Sequence, residues 1–396
     1  MIKLPLPRGV VLLGIVSFLN DTASESIYPL LPTFIATTIG AGPAFIGVLE
    51  GLADSIASIL KLVVGIWSDR TGKREPFVNA GYALAAFSRP WLGFCTQAWQ
   101  IFLIRFTDRS GKGLRSAPRD AWLASFTPIS ERGRVFGFHR AMDNAGSVAG
   151  PLLASAFLMA WPHQYRQLFL FSAIPGIFAL ALSIYAARKY PANQLQQTPS
   201  TQHLDLWNSL SHLNTKQRRF FIALALFTLG NSTDAFILLK LSQSGLETAW
   251  LPIAWALLHF IKSTSNLIFG NLSDRFGSKP LILLGWVLFA LVYVTLGYTH
   301  SLAITLAAFF TYGIYYGLTE SPEKAWVSKL AYSHQSGTLS GTLFGIYHLV
   351  TGLGSLPASV IFGLMWQQFG AAAAFNMGAT FAIMAVLVLL QVEERS

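Results

Sequence analysis

Apolar runs of bilayer length recur from one end of the chain to the other, separated by short polar stretches. A helical span needs about 20 mostly apolar residues. On that measure twelve spans are expected, at about 9–35, 43–67, 76–96, 98–121, 134–160, 166–188, 219–243, 248–272, 280–299, 301–322, 340–365 and 370–391. Segment 190–217 is the long polar exception and divides the spans six and six. The expected fold is an all-α membrane protein with 12 transmembrane helices. They form two pseudo-symmetric six-helix bundles, 1–189 and 218–396, joined by a cytoplasmic linker at 190–217. Lys3 and Arg8 ahead of VVLLGIVSFL imitate a signal peptide. Asp21 and Glu25 interrupt that pattern and the apolar run resumes at IYPLLPTFI, so a retained first span is expected.

Composition agrees. Hydrophobic residues are 53% of the 396 and charged residues 12%, against roughly 25% charged in a soluble domain. Too few polar groups exist to cover a globular surface, which excludes a soluble enzyme. The single cysteine, Cys95, excludes an intrachain disulfide and a thiolate metal cluster. The net charge of +10 is not a nucleic-acid patch, because the bases lie mostly between apolar runs.

Those bases set an orientation. With the N-terminus inside, the inner loops and span ends carry Lys3, Arg8, Arg70, Lys73, Arg74, Arg132, Arg134, Arg188, Lys189, Lys216, Arg218, Arg219, Arg275, Lys279 and Lys329. The outer side carries Arg166 and Glu247, with Lys240 near the outer end of its span. Positive charge is retained on the cytoplasmic side, so both termini and the linker are expected there, in a multi-pass protein of the cytoplasmic (inner) membrane.

The halves repeat each other. GIWSDRTGKRE (65–75) matches GNLSDRFGSKP (270–280) at an offset of 205. RFTDRSGKGLRSAPRDAW (105–122) matches FFTYGIYYGLTESPEKAW (309–326) at 204, and FGFHRAMDNAGS (136–147) matches FGIYHLVTGLGS (344–355) at 208. A duplicated six-span unit implies halves related by an axis along the membrane normal, with a site near the midplane where they meet. The repeat also identifies 98–121 as a span despite Arg105, Asp108, Arg109, Lys112, Arg115, Arg119 and Asp120, since its mate at 301–322 is apolar or aromatic at most of these positions.

The duplicated G-x-x-x-D-R-x-G-K-R loop and the six-plus-six organisation resemble the major facilitator superfamily along the whole chain. The strings NDTASESIYPLLP, DRSGKGLRSAPRD and FGFHRAMDNAGSVAGP are similar to one bacterial subgroup of facilitator-type permeases. The resemblance implies secondary active transport by alternating access. It also implies cytoplasmic gating by Gly65, Asp69, Arg70, Gly72 and Arg74, and by Gly270, Asp274, Arg275, Gly277 and Lys279. Physical chemistry allows that role, since glycine permits the tight turn and the bases can pair with carboxylates when that side closes. It equally allows the loop to act in topology alone. Gly146 and Gly150-Pro151 partly match the glycine-proline motif of family drug antiporters. Leu152, Leu153 and Ala154 depart from it, leaving close helix packing as the simpler role.

Ionisable residues inside spans cost about 2.5–3.5 kcal/mol each on insertion scales and are functional candidates by default. Asp21 and Glu25, at i and i+4 in the first span, and Asp54 in the second are candidate proton-coupling carboxylates. Their alternative is structural pairing with Arg109 or Lys112. Arg105, Arg109 and Lys112 share a helical face and can present donors to an anion. Arg115, Arg119, Asp120, Arg140 and Asp143 read better as an ion-pair network. In the second half Asn231, Asp234, His259, Lys262, Tyr312, Tyr316 and Glu320 are candidate substrate residues on an aromatic, hydrogen-bonding wall.

The expected function is proton-coupled transport of a small organic anion, of polycarboxylate or carboxylate-siderophore type. The alternative is a proton/drug antiporter for lipophilic compounds, and a lesser one is a non-transporting membrane sensor. No nucleophile–base constellation, phosphate-cradling loop or metal-ligand cluster stands out, so neither an enzyme nor a cofactor is expected. The expected partners are substrate, protons and lipid, and a monomer is expected.

Overall fold

A computed structural model describes residues 6–126, 132–192, 213–332 and 339–392; most of the 190–217 linker lies outside this set. Every described element is helical. α1 (Arg8–Glu25) is prolonged by a 3-10 turn (Tyr28–Leu30), one α-turn (Leu31–Phe34) and a π-turn (Ile35–Ile39). Pro29 and Pro32 remove backbone donors there, which accounts for the irregular continuation. Then come α2 (Pro43–Thr71), α3 (Glu75–Ser88) with a 3-10 extension Arg89–Phe94, α4 (Ala98–Ala124), α5 (Arg132–Ala160), α6 (Tyr165–Phe171) and α7 (Ala173–Lys189). The later elements are α8 (Thr215–Gly230), α9 (Ala235–Gln243), α10 (Leu251–Phe276), α11 (Ser278–Tyr298), α12 (Leu302–Tyr332) and α13 (Leu339–Leu390).

Six segments combine the length and apolarity needed to cross a bilayer: Arg8–Ile39, Tyr165–Lys189, Thr215–Gln243, Ser278–Tyr298, Leu302–Val327 and Ile346–Leu390. The chain is therefore an integral membrane protein. α4 falls outside the six because of its charged residues, yet it is one uninterrupted helix. The expected spans at 340–365 and 370–391 merge into α13, broken only at Gly370 (φ 87°). As a single rod, the 45 residues Ile346–Leu390 would reach about 65 Å at 1.5 Å per residue, roughly twice the hydrocarbon thickness.

The chain divides into two compact units. The first comprises Met1–Gly40, Leu52–Ser200 and Glu247–Ala256; the second comprises Ala41–Gly51, Thr201–Leu246 and Leu257–Ser396. The opening turns of α2 thus belong to the second unit and those of α10 to the first.

In the first unit, Val10, Leu13 and Val16 of α1 pack with Val78 and Tyr82 of α3, Trp122 of α4 and Ala179 of α7. α1 and α5 approach more closely than side chains allow. A Cβ on Gly146 or Gly150 would lie 2.5 Å from the carbonyl oxygen of Phe18 or Thr22. This is the close packing expected of small residues in spans.

The second unit has an aromatic interior. Phe227 stacks parallel to Trp286 with centroids 4.8 Å apart, and Phe289 stacks on Tyr293 at 3.9 Å. Such offset pairs add to area burial.

Candidate functional site

In the first unit the α4 charges separate into two groups. A capping box starts the helix, with Gln97 and Gln100 satisfying each other's backbone donors. Deeper in, Arg89 donates from Nε to Asp108 Oδ1 (2.8 Å) and from Nη1 to the backbone oxygen of Asn20 (3.0 Å). Arg105 Nη1 lies 3.7 Å from the other oxygen of Asp108. Asn20 donates to Asp21 Oδ1 at 2.9 Å. A polar chain therefore runs from α4 through α3 to the candidate carboxylate Asp21.

The second candidate carboxylate, Glu25, accepts from the indole of Trp255 at 2.9 Å. Trp255 and Tyr28 lie with ring centroids 5.1 Å apart. The Arg105 and Arg109 guanidinium carbons lie 5.4 and 6.0 Å from the Tyr28 ring centre. Arg109 Nε lies 3.9 Å from Asp54 Oδ1, and the Asp54 side chain is 48% exposed. Lys112 is exposed and takes part in no ion pair among the described residues. The structure thus gathers Arg105, Arg109 and Asp54 with Glu25 around Tyr28. It joins Asp21 to the adjoining Arg89–Asp108 chain.

The group toward the C-terminal end of α4 forms a separate network. Arg119 donates to Ser17 Oγ (3.2 Å) and to Asp120 (3.2 Å), while Ser17 donates to Asp143. His139 Nδ1 lies 3.5 Å from the other Asp143 oxygen. Arg115 donates to the Gly81 carbonyl. The Arg119–Ser17, Ser17–Asp143 and Arg115–Gly81 contacts link α4, α1, α5 and α3, and the Arg119–Asp120 and His139–Asp143 pairs each lie within one helix, which suits a structural role.

In the second unit the expected span at 219–243 is broken over residues 231–234, between α8 and α9. The break frees polar groups that Tyr residues of α12 meet. Asp234 accepts from Tyr312 OH (2.7 Å) and from Tyr316 OH (2.9 Å). Asn231 donates to Tyr315 OH (3.1 Å). Lys262 Nζ lies 3.6 Å from the centre of the Tyr316 ring. Glu320 turns elsewhere, accepting from Asn266 (3.3 Å) and Lys324 (3.3 Å). His259 stands three residues before Lys262 on α10.

The loop motifs resolve into two left-handed glycines, Gly72 (φ 66°) and Gly277 (φ 88°), where a side chain would be strained. Gly65 and Gly270 lie inside α2 and α10. Arg74 donates to the Ala121 carbonyl at the end of α4 (2.6 Å), and Lys279 to the Leu390 carbonyl at the end of α13 (3.1 Å). Arg70 and Arg275 are exposed, and the side chains of Asp69 and Asp274 lie outside the described set.

The structure adds Asn20, Tyr28 and Trp255 to the first group. It also reveals buried Glu323, whose carboxylate accepts from Trp286 Nε1 (3.2 Å) and Tyr347 OH (3.0 Å). A signal for Glu323 was present, since the 204 offset aligns it with Arg119. None existed for the Tyr28–Trp255 contact, which joins residues far apart in the chain.

The chain is similar to known proteins in sequence and in fold. The Major Facilitator Superfamily profile matches residues 13–355. A Methanocaldococcus jannaschii protein described as an MFS-type transporter is 32% identical over 391 residues, covering 97% of this chain and 95% of its own. A class H tetracycline resistance protein of Pasteurella multocida is 23% identical, covering 91% and 92%. Among solved structures, the nucleoside transporter NupG superposes with a TM-score of 0.79 at 14% identity, covering 98% of this chain and 100% of that one; at that identity the likeness concerns the fold. On the profile match and the archaeal relative, the chain belongs to the Major Facilitator Superfamily.

Proposed function

We propose that this family member is a proton-coupled secondary transporter of a small organic anion, of polycarboxylate or carboxylate-siderophore type, working by alternating access. In this reading it crosses the cytoplasmic membrane twelve times with both termini inside. The observation that carries the anion assignment is the basic surplus on α4. Asp108 is held by Arg89 and Arg105, while Arg109 lies 3.9 Å from the half-exposed Asp54 and Lys112 on the same helix is exposed, so the bases here outnumber the carboxylates. Guanidinium donors offer a carboxylate bidentate recognition and the ammonium adds a point charge. Asp21, Glu25 and Asp54 are the proposed proton carriers. Protons moving inward with the anion offset its charge.

A ligand panel tests this. Di- or tricarboxylates should raise the unfolding temperature of the purified protein, and Arg109→Ala or Lys112→Ala should abolish the shift. Stabilisation by cationic dyes that survives both substitutions, with no response to anions, would sink the anion reading. It would favour proton-driven drug export instead. The similarity to a tetracycline resistance protein and the aromatic wall around Asp234 motivate that second reading.

A further inference from the structure

The second unit places a carboxylate, a set of phenol rings and the ammonium group of Lys262 in an unusual order. Asp234 accepts a hydrogen bond from each of two tyrosines, at 2.7 Å from Tyr312 and, shared between its two oxygens, at 2.9 and 3.0 Å from Tyr316. These bonds use hydroxyl hydrogens; the Tyr312 ring is stacked on Tyr315, while the partly buried Tyr316 ring is left to meet something else. One face is met by Lys262, whose Nζ lies 3.6 Å from the Tyr316 ring centre. Among the described residues Lys262 forms no ion pair. Its charge therefore reaches Asp234 through the phenol, from ammonium to ring face to hydroxyl to carboxylate.

An ammonium over a tyrosine face is held by the ring quadrupole. The hydroxyl bond to a carboxylate makes that face more electron-rich and the attraction stronger. The lysine is tethered by a flexible four-carbon stem, so it can leave and return without moving a helix. Asp234, Lys262 and Tyr316 are each only partly buried, whereas Tyr312 and Tyr315 are fully so. The accessible edge of the cluster is thus the edge at which the ammonium rests.

We propose that Asp234, Tyr312 and Tyr316 form a subsite for an organic ammonium group, primary or quaternary, and that the ammonium of Lys262 occupies it when no ligand is bound. Lys262 then acts as a displaceable internal competitor. A ligand's ammonium takes the ring face, and the lysine swings off it. This assignment does not rest on the anion reading, which concerns α4. A zwitterion would satisfy both, and each can fail alone.

The test uses the full-length protein in detergent with choline and n-butylammonium as probes, read by thermal stabilisation and tryptophan fluorescence. Removing the competitor should tighten binding: Lys262→Ala and Lys262→Met should each bind choline about tenfold more tightly than the parent protein, the scale of one ring-face contact. Adding Asp234→Asn to Lys262→Met should cancel that gain. The uncharged isostere 3,3-dimethylbutan-1-ol should not bind any variant. A gain of binding cannot come from misfolding, so the lysine variants keep the test decisive. The proposal is overturned if neither lysine variant gains affinity, if the alcohol gains as much as choline, or if the gain persists without the Asp234 carboxylate. Loss of carboxylate binding in the Arg109 and Lys112 variants leaves these outcomes unaffected.

Discussion

Asp108 of α4 and Arg89, in the turn that follows α3, share a 2.8 Å hydrogen bond where each side chain is only 5% exposed. Removing one member of such a pair strands the other charge, which costs about 3–5 kcal/mol. Arg89→Leu and Asp108→Leu should therefore each lower the unfolding temperature of the purified protein sharply. The double substitution should recover part of that loss, although Arg105 is then left without its acid. If the three variants differ from the parent by less than a degree, the pair carries no structural weight.

Glu25 offers a way to separate coupling from folding. A glutamine there keeps an acceptor for the Trp255 indole, so Glu25→Gln should leave the indole emission and the unfolding temperature close to those of the parent. Glu25→Gln or Asp21→Asn should nevertheless abolish the response of uptake to an imposed pH gradient in proteoliposomes. Unchanged pH-driven uptake in both variants would remove these carboxylates from the coupling path.

Buried Glu323 accepts from two neutral donors, Trp286 and Tyr347. Glu323→Gln still offers a carbonyl acceptor and should cost less than about 1 kcal/mol. Glu323→Ala leaves two buried donors without an acceptor and should cost about 2 kcal/mol or more. Urea unfolding followed by tryptophan fluorescence distinguishes them. Equal losses would mean that shape, not hydrogen bonding, sets the role of this residue.

At the α1–α5 contact, Gly146→Leu should prevent assembly or cost at least about 3 kcal/mol, because backbone rather than a movable side chain meets the new atoms. Gly137 has nothing within 4 Å of such a Cβ, so Gly137→Ala is the matched control and should retain the parent's yield and unfolding temperature. Because alanine is the better helix former, a destabilised control would show that the loss in Gly146→Leu cannot be assigned to lack of space.

The loops ask for a subtler comparison. Arg74 holds the Ala121 carbonyl at 2.6 Å, so Arg74→Ala should speed amide exchange in the last turn of α4 while leaving α7 unchanged. A gating residue without that anchoring role would alter transport and leave exchange alone.

Much of the fold was legible because span length and hydropathy are local properties. The internal repeat assigned 98–121 as a span despite Arg105, Asp108, Arg109 and Lys112, and the structure has one uninterrupted helix there, outside the six apolar segments. What stayed hidden depended on single residues or distant contacts. Four polar residues at 231–234 interrupt α8 and α9, yet within an apolar run they resemble tolerated polar positions. Gly370 alone separates the halves of α13, where a four-residue gap was expected. In the candidate site, helical spacing put Arg105, Arg109 and Lys112 on one face of α4, and the structure brings the first two to the Tyr28 ring. Helical spacing could not reveal that Asp108 is claimed by Arg89, or that Glu25 meets the indole of Trp255. Those partners come from other helices, and only the packed unit selects among them.

The break between Gly230 and Ala235 has a mechanical meaning. An intact helix transmits a push along its axis through a continuous ladder of hydrogen bonds, whereas a non-helical stretch can absorb a change in backbone angles. Thr215–Gly230 and Ala235–Gln243 are therefore two struts meeting at a joint rather than one rod. Asp234 lies at that joint, roped to α12 by two phenols. Whatever binds or releases those phenols changes the stiffness of the joint, and with it the freedom of the two struts to tilt independently.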